Sequence, residues 1–187
     1  MEEKMKEKNK KTALKTAYVA LFSALICVCS FVSFPLASGI SVTLQTFAVL
    51  LSGAILGWKF GTLAVAVYIA IGAAGIPVFS GFRGGIGVLG GVTGGFIVGF
   101  LFTALIVGLA GKIFGMRVVP LAVSMILGIT VCYTIGTAWY CVVYKGEKTF
   151  FSALSVCVLP YLPFDALKTA AAVPLSIKLH KYIGGRI

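Results

Sequence analysis

Apolar residues follow one another over most of the chain, and short polar or glycine-rich stretches separate these apolar runs. Strands of a membrane barrel would alternate apolar and polar residues, whereas here the runs are continuous. A helix needs about 20 apolar residues to cross the hydrocarbon core of a bilayer. The pattern therefore predicts six transmembrane helices, at residues 16–36, 42–56, 60–76, 94–113, 118–143 and 151–177.

The composition agrees with a protein that lies in the bilayer. Of the 187 residues, 59% are hydrophobic and 11% are charged, and the mean hydropathy is +1.06. A soluble domain has about 25% charged residues. The predicted fold class is an all-α integral membrane protein, a bundle of six transmembrane helices with a glycine-rich outer loop. This domain covers residues 16–177, between a flexible basic tail at 1–15 and a second basic tail at 178–187.

The net charge of +11 comes from residues near the ends of the apolar runs. With six spans, twelve of the 16 Lys and Arg residues fall on the side of the two termini, and three, Arg83, Lys145 and Lys148, fall on the other side. Because Lys and Arg are enriched in cytoplasmic loops, both termini are predicted to be cytoplasmic, in a multi-pass protein of the cell membrane. The same distribution argues against a nucleic-acid partner.

Asp165 and Lys168 are the two charges that fall well inside a predicted span. A charge at the bilayer centre costs about 2.5–3.5 kcal/mol on insertion scales. Residues three apart lie on one face of a helix and can pair. A structural ion pair is one reading, but intramembrane ionisable residues are functional candidates by default. We therefore predict that both residues contact a ligand.

The segment 72–95 holds ten glycines in 24 residues and one charge, Arg83. It is either a flexible connector or a lid, and the apolar residues among its glycines favour a lid over a cavity. Arg83 would then lie at the cavity mouth, where it suits a carboxylate. The predicted pocket, near the outer face, is lined by Gln45, Tyr68, Arg83, Asp165 and Lys168.

Several other sequence patterns do not indicate a nucleotide-binding, metal or catalytic site. Gly85–Gly90 matches G-x-G-x-x-G, but neither a strand before it nor an acid about 20 residues later is present. The five cysteines lie in apolar runs without metal-site spacing, and the one histidine, His180, belongs to the basic tail and is expected at the surface. We predict no catalysis, no metal site and no cofactor. The chain also has no phosphate-binding loop, so any ATP-driven process needs a partner.

Small residues recur every four positions, which lets helices approach closely. The glycine groups are Gly53, Gly57 and Gly61, and Gly91, Gly95 and Gly99; Ala20 and Ala24 form a pair on the first span. Such faces serve packing within the protein or docking to another membrane subunit. Ala20 and Ala24 are the best candidates for docking, because the first span can lie at the periphery.

Several stretches in order resemble the BioY family, the biotin-binding S components of energy-coupling factor transporters. They are Val-Thr-Leu-Gln-Thr-Phe from Val42, Gly-Ala-Ala-Gly-Ile-Pro-Val-Phe from Gly72, the pair Gly84–Gly85, Thr-Gly-Gly-Phe from Thr93, and Pro-Phe-Asp-Ala-Leu-Lys from Pro163. The resemblance covers about residues 13 to 180. Arg83 and Phe164 depart from the family's usual residues.

The resemblance implies six spans, capture of biotin from outside and no ATPase activity of its own. It also implies partners: a transmembrane coupling (T) protein and two cytoplasmic ATPase subunits. The family's aspartate and lysine match Asp165 and Lys168, and its docking face matches Ala20 and Ala24. Its glycine-rich loop includes Gly84 and Gly85, which we add to the five residues of the predicted pocket as substrate-binding residues.

The chemistry of biotin suits the predicted pocket. Asp165 can accept hydrogen bonds from the ureido N–H groups, and either Arg83 or Lys168 can meet the carboxylate. The alternatives are an S component for another small vitamin, a structural membrane subunit without a ligand, and a proton-coupled carrier that uses Asp165 as its relay.

Overall fold

The computed structural model describes residues 1–35, 40–144 and 150–183. This part of the chain forms seven helices and two short strands. In chain order they are α1 (Glu2–Phe31), β1 (Ser33–Pro35), β2 (Ser41–Thr43), α2 (Gln45–Ala73), α3 (Ile86–Leu89), α4 (Gly94–Phe114), α5 (Val118–Val143), α6 (Phe150–Cys157) and α7 (Leu162–Ile183). Lys145, Lys148 and Arg186, which entered the charge argument, lie outside the described residues, as does most of the predicted loop at 144–149.

Helix α1 differs from the prediction at both ends. The predicted flexible tail at 1–15 is helical, because α1 begins at Glu2. Ion pairs at i, i+4 spacing explain this: the Lys6 and Lys11 ammonium groups lie 3.1 and 2.7 Å from the carboxylates of Glu2 and Glu7. Pairs of this orientation stabilise a helix. The helix ends at Phe31, before the predicted residue 36, since β1 follows and pairs antiparallel with β2.

Helix α2 is a hairpin with its turn at Gly57, whose φ of 74° and ψ of 177° break the helical path. A Cβ on Gly61 would lie 2.6 Å from the carbonyl oxygen of Ser52. Along a straight helix these two residues would be about 13 Å apart. The chain therefore folds back at Gly57, and the two arms correspond to the predicted helices at 42–56 and 60–76.

The prediction of one continuous helix at 151–177 is wrong. The structure divides it into α6 and α7, whose axes are bent by 57°. Pro160 lies in the break and Pro163 in the first turn of α7. Proline has no N–H to continue a helical hydrogen-bond ladder, and it is tolerated in a first turn. The break places Asp165 in the first turn of α7.

Four of the described helices, α1, α2, α4 and α5, are long and apolar enough to cross a membrane. The bent pair of α6 and α7 makes a fifth if it counts as one span. The structure thus supports a helical membrane protein with four to five apolar spans. The count differs from the predicted six because α2 counts as one span instead of two. Each of its arms is shorter than the roughly 20 residues of a full crossing.

Helix α4 packs between α2 and α5, α1 packs on α2, and α7 contacts both α2 and α5. Small residues allow the closest approaches: a Cβ on Gly53 would lie 2.6 Å from the carbonyl oxygen of Ala104, and one on Gly99 would lie 2.8 Å from Cys132 Sγ. These glycines therefore serve packing within the protein. One of the two buried apolar clusters, which includes Tyr68 and Phe79, surrounds a cavity.

Candidate functional site

The cavity lies among β2, the two arms of α2, the loop between α2 and α4, and helices α4, α5 and α7. Its empty space is about 740 Å³ with its open mouth included. Its lining is largely apolar and includes several polar side chains. Apolar and aromatic members of the lining include Ile40, Val42, Phe79, Val88, Phe96, Ile97, Phe100 and Ile129. Such a mixture suits a small ligand with both apolar and polar parts.

Asp165 is the acidic group of the cavity. Its side chain is 8% exposed and that of Lys168 is 10% exposed. Lys168 Nζ donates to Asp165 Oδ1 at 2.7 Å, and the Tyr133 hydroxyl donates to Asp165 Oδ2. A carboxylate has about four acceptor positions. Each oxygen of Asp165 is therefore held by one protein donor and can still accept from a ligand.

A second polar group lies where α2 begins. The Gln45 side-chain amide donates to the Tyr68 hydroxyl at 2.5 Å, and the Thr43 hydroxyl donates to Gln45 Oε1 at 3.2 Å. All three side chains are buried. Gln45 and Tyr68 are far apart in sequence, and the turn at Gly57 brings them together by folding one arm of α2 back on the other. The Tyr68 hydroxyl keeps a proton that it can donate to a ligand.

Residues 74–93, which we call the lid, cover the cavity. Phe79 is 1% exposed, and its ring meets that of Tyr68 edge to face, with centroids 5.5 Å apart. Phe79 and Arg83 exchange backbone hydrogen bonds of 2.9 and 3.3 Å. The Arg83 side chain is exposed at the mouth, where its Nε donates to the Ser80 carbonyl at 3.2 Å. Residues of the predicted glycine-rich segment thus contribute to the lining of the cavity, and the segment contains the short helix α3.

The lid is anchored to two neighbouring helices. From α1, the Ser30 hydroxyl donates to the Val78 carbonyl at 2.6 Å. From α5, the Trp139 indole N–H donates to the Gly91 carbonyl at 3.0 Å. The ring of Phe82 also stacks on that of Phe31 at the end of α1, with centroids 4.6 Å apart.

Five of the seven predicted pocket residues line this one cavity: Gln45, Tyr68, Arg83, Asp165 and Lys168. Gly84 and Gly85 do not line it. Gly84 lies against backbone, where a Cβ would be 2.5 Å from the Ile76 carbonyl oxygen. Gly85 has a φ of 93° and donates its N–H to the Gly72 carbonyl at 2.7 Å. They shape the lid instead of forming the wall.

Sequence reasoning missed Tyr133, Tyr161 and Cys132, which also line the cavity. The Tyr161 hydroxyl donates to the Ile40 carbonyl at 2.6 Å and so ties the break between α6 and α7 to the residue before β2. Tyr161 lies between Pro160 and Pro163, and this pair of prolines is the signal in the sequence that could have indicated an interruption of the helix there. Nothing in the apolar run of α5 distinguishes Tyr133 from an ordinary packed aromatic residue.

The two predicted docking residues lie on the outer side of α1. Ala20 and Ala24 are exposed, together with Leu21, which is 59% exposed. The opposite face, with Phe22 and Ile26, is buried against the rest of the protein. In the isolated chain the outer face of α1 is therefore open to lipid or to another membrane protein.

No group of three or more His, Cys, Asp or Glu side chains among the described residues is placed to hold a metal ion. Cys132 and Cys157 line the cavity as thiols, and the Cys132 thiol donates to the Phe96 carbonyl at 3.4 Å. The polar chemistry of the described site thus consists of one carboxylate, two cations, an amide and several hydroxyls.

Comparison with known proteins gives one consistent result. The sequence pattern of the BioY family matches residues 2–185. A protein named biotin transporter BioY from Thermotoga maritima is 38% identical over 161 residues, which cover 86% of this chain and 92% of that protein. A probable biotin transporter BioY from Pyrococcus horikoshii is 37% identical over 168 residues, which cover 89% and 96%.

A solved structure has the same fold. The crystal structure of the S-component for biotin from an ECF-type ABC transporter superposes with a TM-score of 0.86 and covers 92% of this chain and 94% of that one. The sequence identity between the two is 24%.

Proposed function

Since the chain belongs to the BioY family, we propose that it is the membrane subunit that captures biotin from outside the cell for uptake powered by partner subunits. The observation that carries the proposal is the cavity that residues of the lid line together with α2, α4, α5 and α7. It holds the buried Asp165 carboxylate, apolar and aromatic walls, and Arg83 at its mouth. Biotin has the matching parts: a ureido ring with two N–H donors, an apolar sulfur ring and a carboxylate tail.

In this arrangement Asp165 accepts the ureido N–H bonds. Charge-assisted hydrogen bonds of this kind are stronger than neutral ones, and Tyr133 and Lys168 hold the carboxylate in place for them. Phe96 and Phe100 provide apolar surface for the sulfur ring.

Two cations are near enough to meet the carboxylate of biotin. The Lys168 ammonium group already contacts Asp165 at 2.7 Å. Arg83 is exposed at the mouth, and its Nε donates to the backbone carbonyl of Ser80. We assign the carboxylate to Arg83, since binding there leaves the buried ion pair intact.

The proposed topology has six passes, formed by α1, the two arms of α2, α4, α5 and the bent pair of α6 and α7. Both termini are cytoplasmic, and the cavity faces outward. The excess of Lys and Arg on the side of the termini supports this orientation. The subunit is not itself an enzyme, and it works with a transmembrane coupling protein and two cytoplasmic ATPase subunits. Exposed Ala20 and Ala24 on α1 supply the docking face for the coupling protein.

Calorimetric titration of the purified, detergent-solubilised protein with biotin tests this function, with Asp165→Asn beside the wild type. We expect one-to-one binding at nanomolar concentration, which corresponds to about 12 kcal/mol. Loss of a hydrogen bond to a charged group costs about 1.5–3 kcal/mol. D165N should therefore bind at least tenfold more weakly.

Thermal unfolding of D165N without ligand is the control for folding. Unchanged affinity in a folded D165N protein would contradict the role of Asp165. Absence of both heat and thermal stabilisation with the wild type would contradict biotin as the ligand while leaving the fold intact, and a panel of other small vitamins would then identify a different substrate.

A further inference from the structure

A second groove opens at the end of the molecule away from the cavity. It lies between the Gly57 turn of α2 and the last turns of α4 and α7. Its floor is apolar, and cationic or polar side chains stand around it. The floor includes Ala54, Ile55, Leu56, Phe60 and Met116. The groove thus combines an apolar base with a polar rim at one end of the helix bundle.

The rim of this groove carries positive charge. The Nζ atoms of Lys59 and Lys112 lie 5.2 and 5.7 Å from the centre of the Trp58 ring. Lys15 Nζ lies 5.2 Å from the ring centre of Phe60, which also lines the groove. Two ammonium groups that share one tryptophan ring concentrate charge where the apolar floor begins.

No carboxylate balances this charge within the described part of the chain. None of the residues that line the groove is acidic. The acids at the start of α1 lie at Glu2, Glu3 and Glu7, and Asp165 lines the cavity at the other end. The ion pairs of the described residues involve Lys6, Lys11 and Lys168 and leave out the lysines of the groove.

His180 adds an unsatisfied polar atom to the groove. The sequence suggested a surface position in the basic tail, but His180 is half-buried in the last turn of α7. Its Nδ1 is buried and has no hydrogen-bond partner among the described residues. Buried polar atoms in native structures are normally paired. An external group that fills the groove would supply a partner.

We propose that this groove binds an anionic phospholipid, with the headgroup phosphate between Lys59 and Lys112 and an acyl chain along the apolar floor. Lysine ammonium groups bind phosphate as point charges. Basic pockets between helices at the cytoplasmic side of a membrane recognise anionic headgroups, and tryptophan favours the same depth. The apolar floor distinguishes a lipid from a free phosphate ion. The proposal goes beyond biotin capture and does not depend on it.

Native mass spectrometry of the full chain in a non-ionic detergent tests the proposal, with titration of phosphatidylglycerol and of phosphatidylcholine that has the same acyl chains. The double variant K59Q/K112Q removes the two rim charges. The matched control K178Q/K181Q removes two charges from exposed positions at the same end of the molecule that do not line the groove.

We expect saturable binding of phosphatidylglycerol that is at least fivefold weaker in K59Q/K112Q and within twofold of wild type in K178Q/K181Q. Phosphatidylcholine should bind at least fivefold more weakly, and millimolar glycerol phosphate should not displace the lipid.

Several outcomes would overturn the proposal. Equal loss in both double variants would mean a general effect of charge, and equal binding of the two lipids would mean an apolar groove without headgroup recognition. Displacement by glycerol phosphate would assign the groove to a free anion. If K59Q/K112Q kept lipid binding but no longer assembled with the ATPase and coupling subunits, the surface would belong to a protein partner.

Discussion

Asp165 is tolerated inside the helix bundle because two protein groups compensate its charge. A buried charge without a partner is costly, and a buried pair is usually close to neutral for stability. Lys168 balances the charge, and the Tyr133 hydroxyl occupies the second carboxylate oxygen. This small network also fixes the direction of the free acceptor positions, and both Asp165 and Tyr133 line the cavity. In the proposed function, the network therefore holds the carboxylate in position before biotin binds.

Replacement of Tyr133 by Phe tests this positioning role. Y133F removes the donor to Asp165 Oδ2 and keeps the ring, so the carboxylate can rotate away from the ureido group. We expect biotin to bind about 3- to 10-fold more weakly by calorimetry, a smaller loss than in D165N. In a D165N background the Y133F substitution should cause little further loss of biotin affinity, because the effects of two substitutions are not additive when one residue acts through the other. Full additivity in the D165N/Y133F double variant would show that Tyr133 does not act through Asp165.

The proposed contact between Arg83 and the biotin carboxylate can be tested by changing the protein and the ligand in turn. If the guanidinium meets the biotin carboxylate at the exposed mouth, R83Q should weaken biotin binding about fivefold, a loss typical of an exposed charge pair of about 1 kcal/mol. Biotin methyl ester lacks the charge, so its affinity should be nearly the same for wild type and R83Q. Calorimetry gives the four affinities of wild type and R83Q for biotin and its methyl ester, which together form a thermodynamic cycle. An equal loss for biotin and its ester would place the carboxylate elsewhere, with Lys168 as the next candidate.

At the scale of elements, the site depends on two interruptions of helices. The turn at Gly57 brings Gln45 to Tyr68, and the break between α6 and α7 places Tyr161 and Asp165 at the cavity. Both interruptions leave a signature in the sequence, a glycine in one case and a pair of prolines in the other. The lid adds a third irregular element. The polar residues Gln45, Tyr68, Tyr133 and Asp165 lie on helices, and the interruptions determine how these helices meet at the cavity.

The substitution Gly57→Ala tests the hairpin of α2. The combination of φ 74° and ψ 177° is a region that is essentially restricted to glycine, and other residues cost about 1–3 kcal/mol there. We expect G57A to lower the free energy of unfolding by this amount, with a lower midpoint of thermal unfolding in detergent.

Gly111→Ala is the matched control for G57A. Gly111 lies in the interior of α4, where a Cβ would be 3.6 Å from Met116 Sδ, an ordinary contact. Alanine stabilises such a helical position by about 0.5–1 kcal/mol, so the two substitutions should shift the midpoint in opposite directions. A G57A protein as stable as G111A would mean that the backbone at Gly57 is not held in this conformation.

The sequence predicted much of this architecture, and the misses have physical causes. The run from Val118 to Val143 matched α5 at both ends, because continuous apolarity fixes where a helix lies in a bilayer. The helical start of α1 was missed because the high content of charged residues at 1–15 was taken to indicate a flexible tail. The spacing of ion pairs such as Glu2 with Lys6, which stabilises the helix, was not considered. Asp165 was found because a charge in an apolar run is conspicuous. Tyr133 was not found because its partner lies on another helix.

At the scale of the whole molecule, the two ends of the bundle differ in chemistry. One end holds the cavity, the lid and the buried acid, and the other holds the Gly57 turn and the lysines of the groove. The outer face of α1 runs alongside both ends and packs against no other part of the described chain at Ala20 and Ala24. In the proposed function, ligand capture and partner docking therefore use separate surfaces, and we expect a change on α1 to affect docking without affecting capture.

The double variant A20L/A24L tests this separation. Two leucines on the exposed face of α1 would block the close helix approach that small residues permit, while the cavity stays unchanged. We expect co-purification with the coupling protein and ATPase subunits to fall at least fivefold and ATP-driven biotin uptake in proteoliposomes to fall with it. Biotin affinity of the isolated subunit should stay within twofold of wild type.

The matched control A138L/A171L adds the same bulk at exposed positions of α5 and α7 and should assemble normally. Normal assembly of A20L/A24L would place the docking face elsewhere, and equal failure of both double variants would indicate a general effect of bulk on the membrane-facing surface.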